Sequence, residues 1–395
     1  MGVGHPVDRV FSRDFILVSS VSFFCTINFY LLLIIITDYA VESFGASSAE
    51  AGLSAGLYVI GGLVSRLFLG RYIELFGRKR TLVLSIAAAL AISVSYFFVS
   101  SMIVLHAVRF VHGLAYGMMC SSYNDIAAKL VPASKRAEGL GYFYLSITLA
   151  NAIGPYLGLT LSGTSGYHAV FMAGTAVYVL SLIASVMIRV QEEVLTERQI
   201  EEIRGFGLNN LIQSSAVPLS LTVMVFYLGY SGVLAFMSAY TSVLGMHEIA
   251  GMFYVILACG TLVSRLTMGR IMDVRGPTVV AVPAFMLYIA GMVMFANMTQ
   301  TWMLFLSGLL MGFGMSTIWT VCQTLVISRV PPHRYGVATS TFCEIADMGS
   351  GIGPMMLGAL IPVIGYGDMY MVCALFGVAS MLMYLGLHDL TPGGE

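Results

Sequence analysis

The chain has 395 residues, of which 58% are hydrophobic and only 10% are charged, and its formal net charge is −1. Soluble domains contain about 25% charged residues, so this composition excludes an ordinary soluble fold and a disordered chain. The neutral balance also excludes a nucleic-acid binder, and the sequence predicts a multi-pass membrane protein rather than an enzyme.

Twelve apolar runs are each long enough to cross the hydrocarbon core, which takes about 20 residues of helix. The alternating pattern of a membrane β-barrel is absent, so the spans are predicted to be helical. The predicted fold class is therefore an all-α membrane protein with twelve transmembrane helices. In chain order the predicted spans are residues 15–37, 51–70, 81–99, 103–128, 137–162, 167–189, 215–240, 249–271, 278–297, 302–328, 335–361 and 367–388.

Basic residues between the predicted spans are all found on one side of the membrane. They precede span 1 and follow spans 2, 4, 6, 8 and 10, whereas the opposite loops contain no Lys or Arg. Because cytoplasmic loops carry the excess of Lys and Arg, both termini are predicted to be cytoplasmic. The expected location is the inner (plasma) membrane.

The sequence repeats itself at a constant offset of 199 residues. Residues 63–67 (LVSRL) recur as 262–266, and residues 153–155 (IGP) recur as 352–354. Two parallel six-helix halves are expected, with a substrate site between them near the midplane and alternating access by rocking. The predicted units are an N-terminal half at residues 1–189, a cytoplasmic connecting loop at 190–214 and a C-terminal half at 215–395.

Three segments carry a family resemblance. Residues 70–80 resemble the signature between helices 2 and 3 of the major facilitator superfamily, although Glu74 replaces the usual Asp. Residues 109–113 resemble its helix-4 motif, and residues 150–158 resemble the helix-5 motif regarded as a hallmark of its proton antiporters. The resemblance implies two pseudo-symmetric halves and export of a small molecule by antiport.

By the same resemblance, the loop between helices 2 and 3 latches the cytoplasmic faces of the two halves and favours the outward-open state. The copy of this loop in the second half is the weaker partner. If the latch role fails, the basic residues only fix the topology. The residues assigned to the latch are Gly70, Glu74, Gly77, Arg78 and Asp273.

Charged residues within the spans are the candidates for proton coupling, because isolated charges are costly in the bilayer. Arg109 is expected to pair with Asp38, with His106 and His112 one turn away from Arg109 on either side. The alternative is that Asp38 is merely exposed in a loop. Two other arginines, one in each half at the repeat offset, are expected to be architectural and to extend to the interface; these are Arg66 and Arg265.

Glu344 and Asp347 are the only two carboxylates deep within a span. Spaced three apart, they share a helix face that continues through Gly351, Pro354 and Gly358 and can pack closely or line a cavity. Two carboxylates this close cannot both ionise cheaply, which suits a proton carrier. The structural alternative is a pair satisfied by neighbouring hydroxyls such as Ser340 or Thr341.

Polar and aromatic residues in spans 1, 4, 7 and 10, which line the cavity by family resemblance, are the candidates for substrate binding. Tyr and Trp combine an apolar face with a hydrogen-bonding group, which suits an amphipathic organic molecule. For each one, core packing is the alternative role. The candidates are Asn28, Tyr30, Tyr116, Tyr227, Tyr230, Trp319 and Gln323.

The sequence thus predicts secondary active transport, in the form of proton-coupled efflux of a small amphipathic molecule or metabolite. The expected partners are that substrate, protons and the lipid bilayer, and the chain is expected to be a monomer. No phosphate-binding loop is present, so neither ATP nor another cofactor is expected, and no metal. The alternatives are a metallophore exporter, a sugar or organic-anion importer, and a non-transporting membrane sensor or scaffold.

Overall fold

The computed structural model describes residues 11–69, 72–132, 135–190, 212–331 and 334–388. Nearly all of these residues are helical, so the all-α prediction is confirmed for the described part of the chain. The helices are α1 (Arg13–Phe44), α2 (Ser48–Leu69), α3 (Ile73–Phe76), α4 (Arg78–Ser95), α5 (Met102–Leu130), α6 (Arg136–Met187), α7 (Val217–Val243), α8 (Ala250–Arg275), α9 (Pro277–Ala296), α10 (Thr301–Ser328) and α11 (Tyr335–His388).

Local sequence signals determine where the first helices begin and end. Ser12 caps α1 by accepting a hydrogen bond of 3.1 Å from the backbone N–H of Phe15. Ser47 and Glu50 form a reciprocal capping box at the start of α2. α1 ends at Gly45, whose φ of 63° is a left-handed conformation that glycine adopts without strain. These caps define the turn between α1 and α2.

Ten of the described helices are long and apolar enough to cross a membrane. Two of them, α6 with 52 residues and α11 with 54, are more than twice the length of about 20 residues that one crossing needs. Each contains one glycine outside the helical conformation, Gly166 with a φ of 76° and Gly365 with a φ of 80°. Each of these glycines lies between two of the predicted spans.

The sequence repeat is also a repeat in packing. α2 and α5 approach each other so closely that a Cβ atom on Gly61 or on Gly113 would overlap the backbone of the facing helix. Gly260 and Gly312, at the repeat offset, make the same kind of backbone contact between α8 and α10. The repeated glycines therefore serve the same purpose in both places, because only a residue without a side chain permits this distance.

One end of the bundle carries the basic residues, and we call it the basic end. α4 begins there at Arg78, and α5 and α8 end there with Lys129 and Arg275 in their last turns. The backbone N–H of Arg189, just after α6, donates a 2.9 Å hydrogen bond to Asp14 in the first turn of α1. The start of α1 and the end of α6 therefore lie together at this end.

Direct backbone contact between α2 and α11 closes the opposite, non-basic half of the bundle. A Cβ atom on Gly56 would overlap the carbonyl oxygen of Gly351, and one on Gly52 would overlap that of Pro354. A Cβ atom on Gly358 would likewise overlap the start of α2. The stripe of small residues on α11 was predicted to pack closely or to line a cavity, and it packs closely.

Two further contacts join helices at the non-basic end. The hydroxyl of Thr37 in α1 donates to the carbonyl oxygen of Ala235 in α7 at 2.5 Å. Gly251 at the start of α8 lies against Tyr156 of α6. At this end of the molecule, α1 therefore contacts α7, α2 contacts α11, and α6 contacts α8.

Candidate functional site

A charged cluster joins α2 to α11 inside the bundle. Nη2 of Arg66 donates to Oδ2 of Asp347, and Nε of Arg66 lies 3.4 Å from Oε1 of Glu344. The side chains of Arg66, Glu344 and Asp347 are 19%, 13% and 29% exposed. The cluster lies on the same α2–α11 seam as the glycine contacts but nearer to the basic end.

The cluster carries one excess negative charge when both carboxylates are ionised. Oε2 of Glu344 is buried and has no hydrogen-bond partner, and an incompletely paired buried charge is costly. A proton on either carboxylate would make the cluster neutral. The cluster can therefore couple the gain or loss of a proton to a change of charge where two helices meet.

The hydroxyl of Thr341 does not hydrogen-bond to Glu344 or Asp347, which the structural alternative for this carboxylate pair would require. Its Oγ1 donates to the carbonyl oxygen of Val337 at 2.8 Å and accepts a 2.9 Å hydrogen bond from the backbone N–H of Gln213. The cation that pairs with Glu344 and Asp347 is instead supplied by another helix.

Sequence reasoning assigned Arg66 an architectural role and did not connect it with the carboxylates. The signal was present, because Arg66 is one of only three Lys or Arg residues that lie more than two residues inside the predicted spans, and the two deep carboxylates had no stated partner. The partners of Arg66 could be found only from the packing of α2 on α11.

Aromatic rings of α7, α10 and α11 pack on one another near the charged cluster. On α7 and α10 the ring of Tyr227 lies 5.9 Å from that of Tyr230 and 5.6 Å from that of Trp319. Trp319 in turn lies 4.9 Å from Phe342, which precedes the carboxylates on α11. Tyr227 and Tyr30 are both close enough to Asp347 for electrostatic interaction. Of the predicted aromatic residues, Tyr30 and Tyr227 thus lie in the neighbourhood of Asp347, and their membership of one substrate site stays a prediction.

On the other side, Phe29 of α1 joins two of the candidate tyrosines. Its ring stacks on Tyr116 with centroids 5.0 Å apart and contacts Tyr30 edge-on at 4.8 Å. Asn28 is fully buried and donates to the carbonyl oxygen of Gly174 at 2.8 Å, so its amide holds α1 against α6. Gln323 on α10 is half-buried. Their roles in substrate binding stay predictions.

Arg109 is held by neutral groups. Its Nε donates to the carbonyl oxygen of Ser54 at 2.9 Å, and its Nη1 donates to the hydroxyl of Tyr96 at 3.4 Å. The guanidinium carbon lies 4.4 Å from the centre of the Tyr58 ring, a cation–π contact. The expected ion pair with Asp38 is therefore wrong for this structure, in which the fully buried Arg109 pairs with no carboxylate among the described residues.

His112 lies in a cage of tyrosines beside Arg109. Its Nδ1 is 3.1 Å from the hydroxyl of Tyr96 and its Nε2 is 2.7 Å from that of Tyr178. His112 is fully buried, whereas the ring of His106 reaches the carbonyl oxygen of Glu50 at 3.2 Å. The two predicted histidines therefore have different environments, and Asp38 lies elsewhere, near Ser238 and Glu42.

The predicted latch falls partly outside the described residues. Gly70 is not described, and the side chains of Glu74 and Asp273 also lie outside the described part. Gly77 has a φ of 87°, which suits glycine at the turn into α4, and Arg78 begins that helix with only 5% of its surface exposed. The latch itself stays a prediction.

Comparison with known proteins identifies the family. The model of the Major Facilitator Superfamily matches residues 18–342, and a second match covers residues 219–394. The chain belongs to the major facilitator superfamily. It is a transporter of this family and not an enzyme, as the sequence predicted.

Individual superfamily relatives are distant but match over most of their length. The chain is 24% identical to an uncharacterised MFS-type transporter of Methanocaldococcus jannaschii, over 88% of this chain and 91% of the relative. It is 20% identical to the staphylopine export protein of Staphylococcus aureus, over 86% of this chain and 87% of that protein. The crystal structure of the nucleoside transporter NupG superimposes with a TM-score of 0.76 at 13% identity, over 94% of this chain and 99% of that one.

Proposed function

We propose that this superfamily transporter exports a small amphipathic organic molecule in exchange for protons by alternating access. The observation that carries the proposal is the ion cluster of Arg66 with Glu344 and Asp347. A proton that binds one carboxylate removes one of the attractions between α2 and α11. Protonation and separation of these helices at the basic end are therefore linked, as antiport requires.

The membrane topology that goes with this function has twelve crossings in two halves. The breaks at Gly166 and Gly365 support two crossings in each of α6 and α11. The halves are residues 1–189 and 215–395, joined by residues 190–214. We assign the basic end to the cytoplasm because of the excess of Lys and Arg there, with both termini on that side of the inner membrane.

The proposed direction of transport is supported by a relative. The staphylopine export protein, a relative over most of the chain, is named for export. The proton gradient supplies enough energy, since one proton crossing 100 mV releases about 2.3 kcal/mol, which corresponds to roughly fifty-fold accumulation. The aromatic rings beside the cluster suit the apolar part of the exported molecule.

Everted membrane vesicles test the proposal with a mixture of many candidate substrates at once. The vesicles contain the full chain and are incubated with a metabolite extract, and mass spectrometry measures what accumulates with and without an interior-acid pH gradient. We expect compounds that accumulate only with the gradient, and Glu344→Gln or Asp347→Asn should remove that dependence. Arg275→Gln, which removes an exposed charge at the end of α8, is the matched control. The proposal fails if no compound responds, or if both carboxylate variants transport with an unchanged pH profile.

A further inference from the structure

The two repeated arginines have different surroundings. Arg66 on α2 is paired with two carboxylates of α11. Arg265, its equivalent on α8, makes no ion pair and no hydrogen bond with any residue in the described ranges. The positions on α6 that correspond to the two carboxylates at the repeat offset are Leu145 and Thr148. The scaffold thus places a second cation within a span, and no anion among the described residues pairs with it.

Arg265 borders a cavity. A small space of about 80 Å³ lies between α8, α9 and α10 and is open on one side. Its polar wall consists of Arg265 with the hydroxyl residues Ser264, Thr317 and Thr320, and the methionines Met268 and Met272 are among its apolar residues.

Arg265 supplies the hydrogen-bond donors that remain unused in this cavity, because the hydroxyl groups there already donate to other atoms. Thr317 and Thr320 already donate to helix carbonyls, each at 2.9 Å, and Ser264 lies 2.7 Å from the hydroxyl of Thr317. The guanidinium of Arg265 keeps its planar array of N–H groups, which matches the geometry of a carboxylate or phosphate. Tyr227, which lies near the ion cluster, is also close enough to Arg265 to interact with it electrostatically.

We propose that Arg265 and this cavity form a binding subsite for an organic oxyanion, namely a carboxylate or phosphate group carried on an apolar body. The guanidinium binds the charged group, and the flexible methionine side chains accommodate the apolar part. This proposal rests on the proposed function, because the oxyanion is then one of the chemical groups of the exported molecule. That molecule then bears a negative charge recognised at Arg265, away from the carboxylates of α11.

Benzoate is a suitable probe, with benzyl alcohol as its uncharged counterpart. The full-length protein in detergent is titrated with each compound at constant pH and ionic strength, and the thermal unfolding midpoint is measured. We expect benzoate to raise the midpoint saturably and benzyl alcohol to leave it unchanged. Arg265→Gln should weaken the apparent affinity for benzoate at least tenfold, Arg265→Lys should retain part of it, and Arg275→Gln should match the wild type.

A lipid headgroup carries the same oxyanion chemistry, and nanodiscs separate the two sources. In phosphatidylcholine discs the benzoate effect should persist, and added phosphatidylglycerol should not compete with it. Competition by phosphatidylglycerol that disappears in Arg265→Gln would assign the cavity to lipid and overturn the proposal. A benzoate response equal to that of benzyl alcohol in the wild type would also overturn it, whatever the variants do. Because binding is measured at fixed pH without transport, failure of pH-driven efflux would leave this result unaffected.

Discussion

Adding a single methyl group at the closed seam tests whether the molecule alternates between two states. In Gly56→Ala the new Cβ atom would overlap the backbone carbonyl of Gly351, which cannot move aside as a flexible side chain can. Overpacking of this kind costs about 1–3 kcal/mol. The penalty applies only while α2 and α11 touch, so the closed arrangement at the non-basic end should lose population by about 5- to 150-fold.

Distances between spin labels report this shift directly. Labels at Ser43 and Val243, both exposed near the non-basic ends of α1 and α7, should show a longer distance population in Gly56→Ala than in the wild type. Gly141→Ala is the matched control, because a Cβ atom there meets nothing within 4 Å. Both substitutions bring the same gain in helix propensity.

A second control separates gating from folding. Gly61 lies on the same helix, but its Cβ would meet α5 rather than α11. Gly61→Ala should therefore lower the thermal unfolding midpoint without lengthening the label distance. An unchanged distance distribution in a folded Gly56→Ala protein would refute the view that the seam opens.

Two further predictions concern the buried polar groups beside the seam. Arg109→Lys should lose transport as fully as Arg109→Gln in the vesicle assay, because an ammonium cannot reproduce the guanidinium contacts that include the carbonyl of Ser54; wild-type rates in the lysine variant would contradict this. His112→Phe should destabilise the protein by about 1–3 kcal/mol, because the hydroxyl of Tyr178 loses its 2.7 Å partner and that of Tyr96 keeps only the 3.4 Å hydrogen bond from Arg109, and an unchanged unfolding midpoint in detergent would argue against that.

Composition and apolar runs were sufficient to predict an all-helical membrane protein, and the resemblance of three motifs was sufficient to predict the family. The length of the apolar runs predicted the helical regions. The 199-residue offset makes Gly61 and Gly260 equivalent positions, and both pack against the backbone of a facing helix. Side-chain partners were less predictable, because they depend on how far one helix slides along another. Arg109 illustrates the difficulty: in a low-dielectric interior a carboxylate was the natural partner to expect, yet a backbone carbonyl and aromatic rings hold the cation.

The repeated scaffold and its unequal charges together fit the directional exchange that we propose. Equal glycine contacts within each repeat, at Gly113 and Gly312 for example, keep the helices of each packed unit together. The carboxylates have no counterpart in the first repeat, where Leu145 and Thr148 stand at the equivalent positions, so the ion cluster of the α2–α11 seam is not repeated around Arg265 among the described residues. A symmetric pair of such clusters would respond to protons on both sides of the substrate path at once. If the ion cluster takes up the proton and Arg265 binds the substrate anion, as we propose, proton and substrate act on different walls of the bundle and alternate without competing for one charge.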